Sequence, residues 1–256
     1  MRYGVCQLIS SSKPCTLSQT NQKSCYTTEW LINYYFISAM YHMIVWILWW
    51  SGRIGQALIQ QALWSSHQVT TLVRDKTKLQ HYQNKITIMP WDATNRDDIS
   101  KMLSQVDVLI HAVSVPLFHT RPTTLYSKTT STIISTWWEP QQCKQLIVMS
   151  NTGTQHGRKL PWPASLAYEI LLGDIADDKE LEEQLLHKSN LPWTIIKSPV
   201  LTNGAKKSYT LQDFDEYKPS VFSFISRKTI ASVIIDIAEH NTHHQQRVVP
   251  NSKSLF

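Results

Sequence analysis

Four short stretches carry residues whose types and spacing could do chemistry. The first is SGRIG, residues 51–55, set between the apolar run IVWIL and the helical run RIGQALIQQAL. A turn from strand into helix leaves the first N–H groups of the helix free, and together with the helix dipole they favour an anion such as a pyrophosphate. Gly52 and Gly55 suit the places where backbone approaches phosphate and where helix packs on strand, with Ser51, Arg53 and Ile54 lining the same turn. A glycine pair alone is a weak signal, and its position after a first strand strengthens it. The second stretch, TLVRD, puts Arg74 about 20 residues beyond that turn, where an adenosine ribose is read. An acidic residue there would bind a 2′-hydroxyl. Arg74 instead offers a cationic fork to a 2′-phosphate, which favours NADP(H), the alternative being a solvated surface arginine.

The third stretch is WDAT, residues 91–94, where Asp92 can reach an adenine edge with Ala93 beneath it. The fourth is HAVS, residues 111–114, in which Ala112, Val113 and Ser114 are small enough to let a cofactor lie across the tips of the strands. His111 itself reads as a packed strand histidine. HNTHH, residues 240–244, has no carboxylate framework around it and carries no metal site, while Met89, Met102 and Met149 read as core filling.

These residues need a frame, and hydrophobic periodicity supplies one. Apolar runs of strand length fall at 44–48, 68–73, 85–89, 106–113, 145–150 and 193–198, with helical stretches at 53–64, 96–104, 123–137 and 165–188. KSYTL suggests a further short strand, and RKTIASVIIDIAEH, residues 227–240, a closing amphipathic helix. Strands alternating with helices indicate an α/β fold: a Rossmann-like, doubly wound parallel sheet in a single domain, residues 43–256. Residues 1–42 are polar and aperiodic at first, and read as a disordered extension or as translation from an upstream start, with Met43 the natural beginning.

Composition narrows the partners. Hydrophobic residues make up 42% and charged residues 17% of the chain, as in a globular protein. The net charge of +6 comes from scattered Lys and Arg with no interleaved aromatic cluster, which argues against nucleic acid and for a small-molecule substrate. Cys6, Cys15, Cys25 and Cys143 form no CxxC pair; one cysteine in the main body fits a reducing, cytoplasmic setting. Trp30 to Trp50 lacks Asp, Glu, Lys and Arg over a length that could span a bilayer, but Asn33, Ser38 and His42 interrupt it and its second half is needed as the first strand. A membrane anchor is therefore disfavoured.

SGRIG, TLVRD, WDAT, RPTTLYSKTT (121–130), LIVMSNTG (146–153) and SNLPWTIIKSPVLTNG (189–204), in that order, resemble the NAD(P)H-binding atypical short-chain dehydrogenase/reductase group typified by flavin reductase (biliverdin reductase B) and its NmrA-like relatives. The resemblance implies that Ser150 stands near the nicotinamide, that Lys197, Pro199 and Val200 of KSPV run along it, and that Lys179 lies where relatives place a polar residue of the substrate pocket. Lys179 is then a partner for an anionic group, or else a solvated lysine within DDKELEEQLLHK, a charged helix face with i,i+4 partners. No Tyr with Lys four residues later follows the fifth strand: Tyr168 is followed by Leu172. Direct hydride transfer to an electron-poor ring, which asks the protein mainly to orient and desolvate, fits better than alcohol oxidation. The expected activity is NADPH-dependent reduction of a flavin or quinone type of acceptor. The alternative is an NmrA-like regulator or assembly factor that binds NADP(H) without turnover.

Tryptophan complicates the glycine turn. The chain has seven glycines and ten tryptophans, against an average glycine usage of about 7%. Trp49 and Trp50 occupy the tight turn and Trp91 precedes Asp92, at places where the relatives carry small residues. Either the loop has decayed, or these codons are read as glycine in the living cell; UGG at codons 49 and 91 would exclude the second.

Overall fold

The computed structural model describes residues 42–48, 52–72, 82, 84–89, 95–113, 123–137, 142–155, 157, 161–218 and 223–252. All lie in one compact unit, His42–Phe256. In chain order the elements are β1 (Ile44–Leu48), α1 (Arg53–Trp64), β2 (Gln68–Leu72), β3 (Thr87–Met89), α2 (Arg96–Leu103), β4 (Val108–His111), α3 (Leu125–Thr136), β5 (Gln145–Asn151), α4 (Ala164–His187), β6 (Trp193–Ser198), β7 (Val200–Thr202), β8 (Tyr209–Asp213), β9 (Phe224–Ser226), α5 (Arg227–His240) and β10 (Gln246–Ser252).

Eight strands form one sheet in the order β3-β2-β1-β4-β5-β6-β10-β8, parallel throughout except for the edge pair β10 and β8. Strand side chains alternate between the two faces, so an apolar run buried on both sides must feed two cores. In β1, Val45 and Ile47 join one core with Leu58 and Ile59 of α1 and Ile230 and Ile234 of α5. Trp46 and Leu48 join the other, with Ile99 and Met102 of α2, Tyr126 and Ile133 of α3, and Ile175 and Leu186 of α4. Helices thus cover both faces, which is the doubly wound α/β arrangement. The strand order reverses between β1 and β4, and such a switch point opens a crevice at the carboxyl ends of the strands.

Helices α1 and α5 fall on the expected residues, 53–64 and 227–240. Strands β3 and β4 are shorter than their apolar runs. Strand β10 and the small parallel sheet of β7 and β9 are not foreshadowed by local pattern. QRVVPNS carries Pro250, a poor residue for a central strand. It is tolerated because the pairs with β6 end at Val248, leaving Pro250 opposite Leu211 of β8 alone. Among the described residues no helix is long and apolar enough to cross a membrane.

Candidate active site at the carboxyl edge of the sheet

Helix α1 begins at this edge. Its N-cap, Gly52, is extended and offers no side-chain cap, and no acidic residue sits in the first turn. Gln56 N–H closes the first helical bond to the Gly52 carbonyl, while Ile54 and Gly55 are buried and Arg53 is exposed. Among the described residues this helix start has no side-chain cap, and N–H groups at the positive end of a helix dipole suit an anion. Helix α5 starts nearby with Arg227, whose guanidinium donates to Asn203 Oδ1 at 2.8 Å. Partial burial, and then the charge of Arg53, lower the Arg227 pKa, so the two arginines share one positive region. Ser51, Arg74, Asp92, Ala93 and Ser114 lie outside the described residues, as do Trp49, Trp50 and Trp91.

Beyond the switch point, β4, β5 and β6 end side by side: His111 is level with Val148, Ser150 with Lys197, and Asn151 with Ser198. Ala112 and Val113 follow β4 and are buried. The turn after β5 is tied down locally. Asn151 Oδ1 accepts from Thr154 N–H at 2.8 Å and from Thr154 Oγ1 at 3.1 Å, and Thr152 N–H donates to the Ser198 carbonyl at 3.0 Å. The Tyr168 ring from α4 lies against this turn so closely that a Cβ at Gly153 or Gly157 would come within 2.7 or 2.4 Å of it. Glycine at both positions is therefore what seats Tyr168 on the strand-end loop. Pro199 and Val200 carry the chain out of β6, Val200 being exposed.

Beneath this edge lies a buried polar cluster. The Ser150 hydroxyl donates to Glu183 Oε1 at 2.6 Å, and Lys197 Nζ donates to the same oxygen at 2.7 Å. Lys197 and Glu183 are both 0% exposed, and Lys197 Nζ stands 4.3 Å from the centre of the Phe214 ring. Burial pulls the Lys197 ammonium below the ordinary lysine pKa, and the Glu183 carboxylate opposes that pull. One turn earlier on α4, Lys179 Nζ donates to the Met149 carbonyl at 2.8 Å, lies 3.5 Å from Glu182 Oε2 and rests 4.0 Å over the Tyr126 ring. Glu182 Oε1 meets His111 Nδ1 at 2.9 Å and accepts from Thr130 Oγ1 at 3.0 Å. Burial alone would raise the Glu182 pKa; Lys179 and His111, with the bond from Thr130, outweigh it and hold the carboxyl below its usual value. Asp178 accepts from the N–H groups of Tyr126 and Ser127 at 2.9 and 3.2 Å. It supplies the cap that α3 lacks from its own Thr124.

This arrangement corrects the view of DDKELEEQ as a solvated charged face. Asp178, Lys179, Glu182 and Glu183 are all buried. Lys179 is no surface lysine: its ammonium is held by a carbonyl and a carboxylate inside the protein. The Lys197 side chain points into the cluster, so only its backbone borders the strand end. A signal was present in the sequence. Lys179 and Glu182 continue the stripe set by Ile175 and Leu186, at the spacing of one helix face, and Lys197 is the one charged residue of the buried strand WTIIKS. His111 is a packed strand histidine as expected, and its Nδ1 stands 2.9 Å from Glu182 Oε1.

Three comparisons bear on this site. The family model for NAD(P)H-binding proteins matches residues 51–241. A search of curated proteins returned no match. Among solved structures, a Lactobacillus casei protein is 21% identical with a TM-score of 0.67, the alignment covering 83% of this chain and 100% of that one. ChuY, an anaerobillin reductase from Escherichia coli O157:H7, is 17% identical with a TM-score of 0.66, covering 83% and 98%. A candidate NADH-flavin reductase from Streptococcus pneumoniae is 21% identical with a TM-score of 0.65, covering 82% and 100%. At these identities the structures establish the fold. The family match, spanning most of the chain and beginning at the glycine turn, adds a nicotinamide cofactor: the chain belongs to the NAD(P)H-binding family, in keeping with the atypical short-chain dehydrogenase/reductase character of its motifs.

Proposed function

We propose that this protein is an NADPH-dependent reductase that passes hydride to a flat conjugated acceptor of the flavin or quinone type. The observation that carries the reading is Ser150. It is the last buried residue of β5, on the edge where the uncapped N-terminus of α1 fits a dinucleotide, within a chain of the NAD(P)H-binding family. Leu172 stands four residues after Tyr168 where an alcohol dehydrogenase of this fold would need lysine, which favours direct transfer to a stacked ring. Two of the similar solved structures are of an anaerobillin reductase and a candidate NADH-flavin reductase.

In this reading Ser51, Gly52, Arg53, Ile54 and Gly55 hold the pyrophosphate, and Arg74 takes the 2′-phosphate. Asp92 and Ala93 border the adenine, Ala112, Val113 and Ser114 floor the crevice, and Pro199 and Val200 flank the nicotinamide beside Ser150. Lys179, committed to Met149 and Glu182, serves by balancing the buried carboxylates. Titration with NADPH and NADH, followed by turnover with FMN or a quinone, tests the proposal. Tighter NADPH than NADH binding, lost in R74E, and NADPH consumption on adding an acceptor are expected. Binding without turnover on any acceptor would favour the sensor or assembly-factor reading. With Trp49 and Trp50 in place NADPH binding should be weak, and Trp49→Gly should tighten it.

A further inference from the structure

Reduction of a conjugated acceptor takes up a hydride and a proton, and the reading above leaves the proton without a source. The geometry around Ser150 supplies one. A hydroxyl has a single hydrogen, and that of Ser150 is directed at Glu183 Oε1 at 2.6 Å, a charge-assisted bond. While Glu183 is ionised, Ser150 can only accept a hydrogen bond from the crevice side. Once a proton sits on Glu183, the direction reverses: the carboxyl donates to Ser150, and Ser150 becomes a donor toward the crevice. The proton for that reversal is adjacent, because Lys197 Nζ donates to the same carboxylate oxygen at 2.7 Å.

We propose that Ser150, Glu183 and Lys197 form a buried proton relay, in which Glu183 and Lys197 are positioning residues that feed a proton through Ser150 to the acceptor. This rests on the reductase reading. The bound nicotinamide supplies both electrons as hydride; the relay carries none. The Ser150 O–H bond breaks as a new bond to hydrogen forms on the reduced acceptor. Ser150 recovers a proton from the Glu183 carboxyl, Glu183 from the Lys197 ammonium, and Lys197, left as a neutral amine, is recharged from solvent.

The surroundings favour movement of this proton. Burial lowers the Lys197 pKa, and the positive charges of Arg247 on β10 and Lys179 on α4 add to that against the pull of Glu183. Arg247 is itself paired with Asp215, and His187 on α4 also lies within the field of Glu183. Thr154 Oγ1 lies 3.4 Å from the Ser150 oxygen but gives its own hydrogen to Asn151 Oδ1, so it borders the relay without donating into it. A fully buried ion pair is weak evidence for stability as such. One that ends on a strand-end serine at the candidate active edge has a use.

Exchange of the Lys197 ammonium hydrogens with water, followed by nitrogen-15 NMR in the protein without acceptor, tests the relay independently of turnover. Exchange faster than the complete burial of Lys197 would allow, slowed in both Ser150→Ala and Glu183→Gln, is expected. Rates unchanged in Ser150→Ala would overturn the relay whether or not the protein is a reductase. In turnover, Glu183→Gln keeps an acceptor for both hydrogen bonds but cannot pass a proton. Its kcat should fall about a hundredfold with KM little changed, and the solvent deuterium isotope effect should rise. Lys197→Arg, which keeps the charge but not the readiness to lose a proton, should behave likewise. Wild-type kcat and isotope effect in both variants would also sink the relay. Absence of turnover in the wild type, with Ser150-dependent exchange intact, would remove the reductase reading and leave the relay standing.

Discussion

Helices α4 and α5 lie on opposite faces of one sheet and bury opposite kinds of surface. Helix α5 buries Ile230, Ala231, Val233, Ile234, Ile235, Ile237 and Ala238, with only Thr229 and Ser232 as polar members. Helix α4 buries Gly173, Ile175, Ala176 and Leu186, and between them Asp178, Lys179, Glu182 and Glu183. The first helix is an ordinary lid on a core. The second spends its inward face on charge, which in a low-dielectric interior is costly unless every charge is paired. A fold that needs only a lid does not require that arrangement. The difference places the buried charges on the α4 face, beneath the ends of β4, β5 and β6, where the proposed relay would run.

The comparison breaks first at Glu183. Glu183→Ala strands Lys197 as an unpaired buried cation and should cost about 3–5 kcal/mol, lowering Tm by roughly 10 °C; urea unfolding measures it, and a loss under about 1 kcal/mol would mean that the cluster is hydrated rather than dry. Ile234→Ala on α5 removes apolar contacts only and should cost about 2–5 kcal/mol, with no change in the pH dependence of stability. Making α4 resemble α5 sharpens the contrast: Glu183→Leu with Lys197→Met should be neutral or stabilising by about 1–4 kcal/mol, while any reductase turnover falls by at least about a hundredfold. Stability kept and function lost, in one variant, would separate the two roles of the face.

Acid provides a finer probe. Glu182 is held below its ordinary carboxyl pKa of 4.5, so the native state binds fewer protons than the unfolded chain around that pH. The stability it contributes is present above the unfolded value and is lost as pH falls through the depressed native one. Glu182→Gln should therefore flatten the fall of Tm below pH 4.5, although Glu239, lowered chiefly by its bond from His67, leaves a residual slope. The smallest effect is expected at Thr130→Val, which removes one hydroxyl bond to Glu182 and should cost about 1 kcal/mol. Thermal unfolding at neutral pH resolves it.

How much of this was legible differs from one end of the crevice to the other. The glycine turn can be read in place because both of its signals are local: an apolar run, a break at Gly52, and an uninterrupted helical period from Arg53 to Trp64. Helix α5 follows to the residue for the same reason, with Ser226 capping its start through a bond from Thr229 N–H. Ser150 could be placed at the end of β5 by counting. Its partners could not. Nothing in DDKELEEQ distinguishes charges that pair with each other in water from charges that pair with Lys197, His111 and Met149 inside, because i,i+4 spacing serves both. Strand β10 escaped as well, since its strand character comes from the open edges of β6 and β8 rather than from its own residues.

The sequence by itself determined the alternation of strands and helices, the position of the glycine turn and the family, since each depends on residues near one another along the chain. Only the tertiary structure decided which charges leave water. That outcome depends on what stands across the gap: Lys197 faces Glu183 over 14 residues of chain and His111 faces Glu182 over more than 70. Burial of a charge is settled by a partner brought from elsewhere in the fold, and no local period encodes that partner.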